Sequence, residues 1–315
     1  MSDALPGLDE ARRFLASHLG REVGPVAPVG EGAWSRCFGF IDGGRELVVR
    51  FGRFGHDFAK DRRAARFRDD ALPIPEVLEV GEALGMHFAI STRVRGEPIE
   101  RLAPDRFAAA LPSLWAALDA LRRADLSGSP GWGPWDASGH GRAASWREHL
   151  LAVVDDPPGS RTHGWRRRLR DSPDAHTLLD AGHARLAELV VDLPVTRHLV
   201  HADLINRNVL VSGDRIRGVF DWGCSLYGDF LYDLAWLEFW SPWHEGIAAA
   251  RVRAAAERHF TELGLEVPRL GRRWLACAIH IGLEHLAYNA HTGDRRALEA
   301  VAARLAPLLD APSGP

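Results

Sequence analysis

The stretch RHLVHADLINRNVLVSGDRIRGVFDWG, Arg197 to Gly223, restricts the fold of this chain more than any other part of it. Two short apolar runs, VLV and IRGVF, flank the turn residues SGD (212–214), so they are expected to pair as a hairpin. Pairing puts Asn208, just before the first strand, beside Asp221, just after the second. His201 and Asp203 lie on the loop HADLINRN that leads into it. Asp221 and Asn208 offer hard oxygen donors, which Mg2+ takes together with phosphate oxygens. Asp203 is then placed to orient and deprotonate an attacking hydroxyl, with His201 bracing the loop by hydrogen bonds.

The rest of the chain divides around this hairpin. With 315 residues and 46% hydrophobic content it is long enough for two lobes and a large core. LDEARRFLASHL (8–19) has helical spacing, and GPVAPVGEGAWSRCFGFIDGGRELVVRFG reads as three strands, with DGG as a hairpin turn. A charged helix, DFAKDRRAARFRDD, follows, then two strands in PIPEVLEVGEALGMHFAIS. The pattern changes near Arg93–Pro98, and helices are expected over 104–124, 145–155, 175–191, 229–240, 246–263, 270–290 and 295–309. DLSGSPGWGPWDASGHGRAAS (125–145) reads as a long loop. The expectation is an α+β, bilobal fold: a five-stranded antiparallel sheet with one helix (1–93), a hinge (94–98) and a larger, mostly helical lobe (99–315).

The order His201-Ala202-Asp203-Leu204, Asn208, then Asp221-Trp222-Gly223 follows the kinase pattern H-R-D-L-x-x-x-N and D-F-G, with Ala for Arg and Trp for Phe. With GDFLYDLAW (228–236) after it, the stretch resembles the aminoglycoside phosphotransferase superfamily, small-molecule kinases that share the protein-kinase fold. No A-P-E follows Asp221, which argues against a protein substrate. KDRRAARF, ALPIPEVLEVGE, WREHL, RHLVHAD and YGDFLYDLAWLEFWSPW are similar, in the same order, to the hygromycin-type members of that family. The resemblance implies transfer of the γ-phosphoryl of ATP or GTP, with Mg2+, to a hydroxyl of an aminoglycoside or aminocyclitol antibiotic. A nucleoside or macrolide acceptor, and a nucleotide-binding pseudokinase, remain as alternatives.

On the donor side, VGEGAWS supplies a phosphate-covering turn with Gly30 and Gly32, where Ser35 stands in place of a third glycine. A Walker A loop is excluded, since it needs G-K-[ST] and the one lysine lies in AKD. Arg50 on the third strand stands where kinases carry lysine, and Asp61 where they carry the helix glutamate. Guanidinium can hold phosphate bidentately, so the exchange is physically tolerable. Lys60, the only lysine among 39 basic residues, either points toward the phosphates or is a solvated helix residue. The strand HFAIS, ending at Ser91, runs into the hinge whose backbone would meet the base.

The acceptor of this family lies against acidic residues of the helical lobe, which makes Asp229, Glu238, Glu245 and Glu284 candidates. Asp229 also reads as a helix cap and Asp233 as a brace for the catalytic loop. Trp132 and Trp135, in the Gly-rich loop, are candidates to stack on a sugar ring or to form a lid, whereas Trp236 and Trp240 share a helix face and read as core. A formal net charge of −3 gives no reason to expect nucleic acid or an anionic membrane. Three scattered cysteines, no visible leader and no long apolar run are expected of a cytoplasmic protein, taken here as a monomer.

Overall fold

The computed structural model describes residues 5–312 and Gly314. Residues 1–4, part of the stretch scanned for a leader, lie outside the described residues. Helix α1 (Leu8–Leu19) precedes strands β1 (Ala27–Glu31), β2 (Ser35–Asp42) and β3 (Arg45–Gly52); α2 (Gly55–Ala64) is followed by β4 (Val77–Ala83) and β5 (Met86–Thr92). These five strands form one antiparallel sheet in the order β1-β2-β3-β5-β4. The β2–β3 turn is Gly43-Gly44, with φ of 55° and 80°, the left-handed pair that a two-residue hairpin requires. Inward residues of the sheet, among them Phe38, Phe40, Val49, Phe51 and Phe88, close on Ala11 and Leu15 of α1 as a separate small core.

Beyond Thr92 the chain forms β6 (Glu97–Pro98), α3 (Pro104–Arg123), β7 (Trp132–Trp135), β8 (Gly141–Ala143), α4 (Trp146–Leu151), α5 (Trp165–Leu169), α6 (Pro173–Leu189) and β9 (His198–Val200). Then come β10 (Val209–Ser212), β11 (Arg215–Val219), β12 (Leu226–Gly228), α7 (Leu231–Trp240), α8 (Glu245–Ala250), α9 (Val252–Glu262), α10 (Leu270–Thr292) and α11 (Arg295–Leu309). The helices enclose a second, larger core, to which Ala64 at the end of α2 and Phe67, Leu72 and Ile74 of the segment after it also belong. Among the described residues no helix is long and apolar enough to cross a membrane.

Three sequence expectations need correction. Residues 125–145 are not a plain loop, because β7 and β8 pair within them and β7 joins β12. Arg197 holds this segment in place, donating to the carbonyls of Gly131 at 2.7 Å and Leu126 at 3.2 Å. The helix expected over 246–263 is two helices, broken at Arg251, whose φ is 49°. The catalytic hairpin is not isolated: β6 adds to β10, and β9 pairs with β12 in a four-stranded sheet. Strands of two to four residues carry too few alternations to show in a sequence.

Close packing around β12 yields a direct test. A Cβ on Gly228 would lie 2.2 Å from Cζ3 of Trp146, a buried ring. Gly228→Ala is expected to lower unfolding stability by about 1–3 kcal/mol through overpacking, read as a lower denaturant midpoint at unchanged m-value. An unchanged midpoint would show that Trp146 yields freely.

Candidate active site

The hairpin register carries the two oxygen donors together. Val209 faces Val219, and the Phe220 amide donates to the Asn208 carbonyl at 3.0 Å, so Asn208 and Asp221 sit at the open end of one ladder. The Asn208 amide nitrogen donates to the Asp203 carbonyl at 2.9 Å and to Asp203 Oδ2 at 3.0 Å. Its side-chain oxygen accepts no hydrogen bond among the described residues and is left for another partner. Asn206 Nδ2 donates to Asp203 Oδ1 at 2.8 Å, so both carboxylate oxygens are held. Sequence reasoning passes over Asn206, although it stands three residues after Asp203 in the same loop.

This loop is held in a costly shape. Ala202, Asn206, Arg207 and Asp221 have φ of 61°, 64°, 69° and 63°, left-handed values that favour glycine. Buried Asp233 fixes the first of them: Oδ1 accepts the Ala202 amide at 2.8 Å and Oδ2 the His201 amide at 2.9 Å. His201 Nδ1 receives the Asp203 amide at 3.3 Å while Nε2 lies 3.1 Å from the Phe220 carbonyl. That pattern assigns the proton to Nε2. Burial lowers His201 to about 4, so the ring is neutral at neutral pH. Burial, assisted by the Asp221 charge, raises Asp203 to about 8, against the pull of Asn206 and Asn208.

Helix α2 delivers the cationic side. Arg50 of β3 pairs with Asp61 of α2, and its other terminal nitrogen lies 3.2 Å from Asp221 Oδ1. Burial pushes Asp61 up to about 6 against the Arg50 charge. At Asp221 burial also pushes upward, but Arg50 and the other favourable contacts outweigh it and the carboxyl is lowered. Asp61 Oδ1 in turn accepts the Trp222 amide at 2.8 Å, so β3, α2 and the segment after Asp221 form one chain of contacts.

Lys60 is placed by neither sequence alternative. It is 2% exposed, and its ammonium donates to the carbonyls of Gly223 and Ser225, both at 2.8 Å, with the Trp135 ring 4.7 Å away. It therefore grips the backbone after Asp221 instead of facing the cleft or solvent. Ser91 is also corrected: it is paired between Val48 and Val77 inside the sheet, and the chain leaves the sheet only after Thr92. Gly30 lies within β1, which ends at Glu31, and the turn beyond it is pinned by the Gly32 amide donating to the Ser35 carbonyl at 2.9 Å. A Cβ on Gly30 or Gly32 would meet nothing within 4 Å, so neither packing nor φ demands glycine at these positions.

Of the acceptor candidates, Glu284 is one whose charge acts on Cys224, three residues after Asp221. Glu284 lies on α10 and remains exposed, and Tyr232 donates to its Oε2 at 3.2 Å while sitting 3.0 Å from His280 Nδ1. Surrounding protein raises the Glu284 carboxyl. The free Cys224 thiol is raised above the usual thiol range by the surrounding protein first, and then by the charges of Asp203, Asp221 and Glu284. Tyr288, one turn along α10, is raised by burial and then by Cys224 and Asp203. Sequence reasoning has no pattern that singles out Tyr288 or Tyr232.

The other acceptor candidates lie elsewhere. Glu238 accepts from the Trp274 indole on the far side of α7. Asp229 is buried against Arg273, at 2.7 Å to both its oxygens, and accepts the Leu231 amide at 3.1 Å. Glu245 begins α8 and is exposed. Trp135 is 1% exposed and stacks on Tyr227 at 5.9 Å, which leaves it no face for a sugar, while Trp132 is half-buried against the larger core. A Gly/Pro-rich composition hides their role because the strand they form is only four residues long.

The chain is similar to known proteins. A model of the phosphotransferase enzyme family matches residues 25–269. The chain is 36% identical over 226 residues to hygromycin-B 4-O-kinase of Escherichia coli, a match that covers 70% of this chain and 64% of that enzyme, slightly under two thirds of its length. The crystal structure of aminoglycoside phosphotransferase APH(4)-Ia superposes with a TM-score of 0.84 at 31% identity, over 97% of this chain and 98% of that one. A thermostable mutant of APH(4)-Ia in ternary complex with AMP-PNP and hygromycin B gives 0.83 at 32% identity, over 95% and 97% of the two chains.

The burial of Lys60 has consequences for stability. Lys60→Met leaves two carbonyls without their donor and is expected to cost about 2–4 kcal/mol in chemical unfolding. Burial also lowers the Lys60 ammonium to about 8, below its usual 10.5. Between those values the unfolded chain binds the extra proton, so folding gains stability as pH rises. The gap between wild type and Lys60→Met should therefore widen from pH 8 to 10.5; a gap that stays flat would mean an ordinary lysine pKa.

Proposed function

The chain belongs to the phosphotransferase enzyme family, and from that premise we propose that it transfers the γ-phosphoryl group of ATP or GTP to a hydroxyl of an aminocyclitol antibiotic of the hygromycin B type. The observation that carries this reading is the convergence of Asp203, Asn208, Asp221 and Arg50 on one cleft, with Glu284 on its acceptor wall. In this reading residues 1–93 form the donor lobe, 94–98 the hinge and 99–315 the acceptor lobe. On the same reading the chain acts as a monomer. The three free thiols support a reducing, cytoplasmic setting.

Asp203 takes the proton of the acceptor hydroxyl as its oxygen attacks the γ-phosphorus; the new O–P bond forms as the bond to the β-phosphate oxygen breaks, and the nucleoside diphosphate leaves. Amide donors from Asn206 and Asn208 fix the carboxylate, and its raised affinity for a proton suits a base working near neutral pH. Arg50, held by Asp61, presents its charge to the donor phosphates beside Asp221. The unbonded Asn208 oxygen and the partly exposed Asp221 carboxylate fit Mg2+, which would supply neutralisation of the phosphate charge when bound. Glu284, held by Tyr232, offers a carboxylate to an amine of the acceptor. The backbone of the hinge binds the base, and the turn from Gly30 to Ser35 covers the phosphates.

The test is phosphoryl transfer from Mg·ATP and from Mg·GTP to hygromycin B. Wild type should turn over with at least one donor. Asp203→Asn should lower kcat by about 10²–10⁴-fold while AMP-PNP still binds. Wild-type turnover of a nucleoside or macrolide instead of hygromycin B would reassign the acceptor. Nucleotide binding with no turnover on any antibiotic would favour the pseudokinase reading.

A further inference from the structure

Between α4 and α5 the chain makes a bracket, residues 155–164, that is stiff for its length. Asp156 accepts the amides of Gly164 at 2.8 Å and Arg166 at 3.2 Å, and buried Trp165 roots its end in the core. The bracket displays Arg161 across the cleft to the other lobe. Arg161 Nη2 lies 2.8 and 2.9 Å from the two oxygens of Asp57 on α2 and 3.0 Å from His56 Nε2. The guanidinium covers the Phe54 ring at 4.1 Å and reaches the Trp34 ring at 5.7 Å, while those two rings meet edge to face at 5.4 Å. Trp34 is the last residue of the turn between Gly30 and Ser35. Asp57 also rests against the segment after Asp221: a Cβ on Gly223 would lie 2.9 Å from Asp57 Oδ1.

We infer that Arg161 is a positioning residue: carried by the acceptor lobe, it fixes the phosphate-covering turn through Trp34 and so couples closure over the donor to the acceptor wall. The turn needs such a support. Its glycines have open space around them; the backbone ties it through the Gly32 amide to the Ser35 carbonyl and the Arg53 amide to the Trp34 carbonyl at 3.4 Å, and the Arg161–Phe54–Trp34 group adds a side-chain support on one side. A planar guanidinium can lie flat on the Phe54 ring while its nitrogens hold Asp57; an ammonium is a point charge with no plane to stack, and a lysine on Asp57 would not cover both rings. Tyr288 senses the charges of both Arg161 and Asp203, which puts Arg161 at the same cleft. The inference rests on the donor half of the proposed function.

The test measures binding of AMP-PNP with Mg2+ by calorimetry, alongside the melting temperature. Arg161→Gln should weaken AMP-PNP by about tenfold, a change of 1.4 kcal/mol. Arg161→Lys should recover the melting temperature through Asp57 and leave AMP-PNP weak. Trp34→Leu should weaken AMP-PNP to a similar degree, and adding Arg161→Gln to it should cost less than about twofold more, because both act through one contact. Unchanged affinity in Arg161→Gln, full rescue of affinity by lysine, or additive losses would overturn the inference and leave Arg161 a tie between lobes only. A wild type that binds no AMP-PNP would overturn it together with the donor assignment. A wild type that binds AMP-PNP but phosphorylates no antibiotic would fail the acceptor reading alone.

Discussion

Two backbone N–H groups converge on one buried carboxylate, and the active-site geometry depends on that contact. Asp233 receives the amides of His201 and Ala202 at 2.9 and 2.8 Å. Hydrogen bonds to a charged acceptor contribute about 1.5–3 kcal/mol each, which outweighs the roughly 1–2 kcal/mol that a left-handed alanine costs. The reversal at Ala202 turns the chain so that Asp203 faces the cleft while His201 faces the Phe220 carbonyl. Burial raises Asp233 to about 6, and its two amide donors keep it from rising further. Removing that carboxylate would release the backbone on which the base, the imidazole and the hairpin all take their positions.

Helix α2 extends this order to the other lobe. Within five residues it carries Asp57, Lys60 and Asp61, and each ends on a different part of the site. Asp61 joins Arg50 to the Trp222 amide, Lys60 binds the carbonyls of Gly223 and Ser225, and Asp57 meets Arg161. A shift of α2 would move the phosphate cation, the segment after Asp221 and the bracket together. That coupling explains why a helix with a weakly apolar face can be placed firmly: its polar side chains are satisfied by the neighbouring lobe. Burying so many charges is tolerable because each has a partner.

The sheet and the hairpin were legible because their information is local. Gly43-Gly44 dictates a tight turn, alternation fixes which faces are inward, and a two-strand register then sets Asn208 beside Asp221. The resemblance to a kinase pattern adds the order of Asp203, Asn208 and Asp221 along the chain. Lys60 was not legible: a lysine in a charged helical run reads as solvated or ligand-facing, and nothing local tells that carbonyls 163 and 165 residues away will enclose it. Trp135 and Glu238 fail for a related reason. Aromatic residues in a Gly-rich segment and an acid amid tryptophans are compatible with a cleft, yet β12 and Trp274 claim them.

By itself the sequence determined the five-stranded sheet, the helical character of the second lobe, and the placing of Asn208 beside Asp221 at the end of one hairpin, though not Asn206 on Asp203. Those follow from periodicity, turn chemistry and spacing along one hairpin. Only the tertiary structure decided which acids are claimed by Trp274 and Arg273, which carbonyls enclose Lys60, and how the bracket at 155–164 meets Trp34. Each is a contact between residues far apart in the chain. Its geometry is set by the packing of the larger core and by the seat of α2 on the segment after Asp221, neither of which leaves a repeating mark in the sequence.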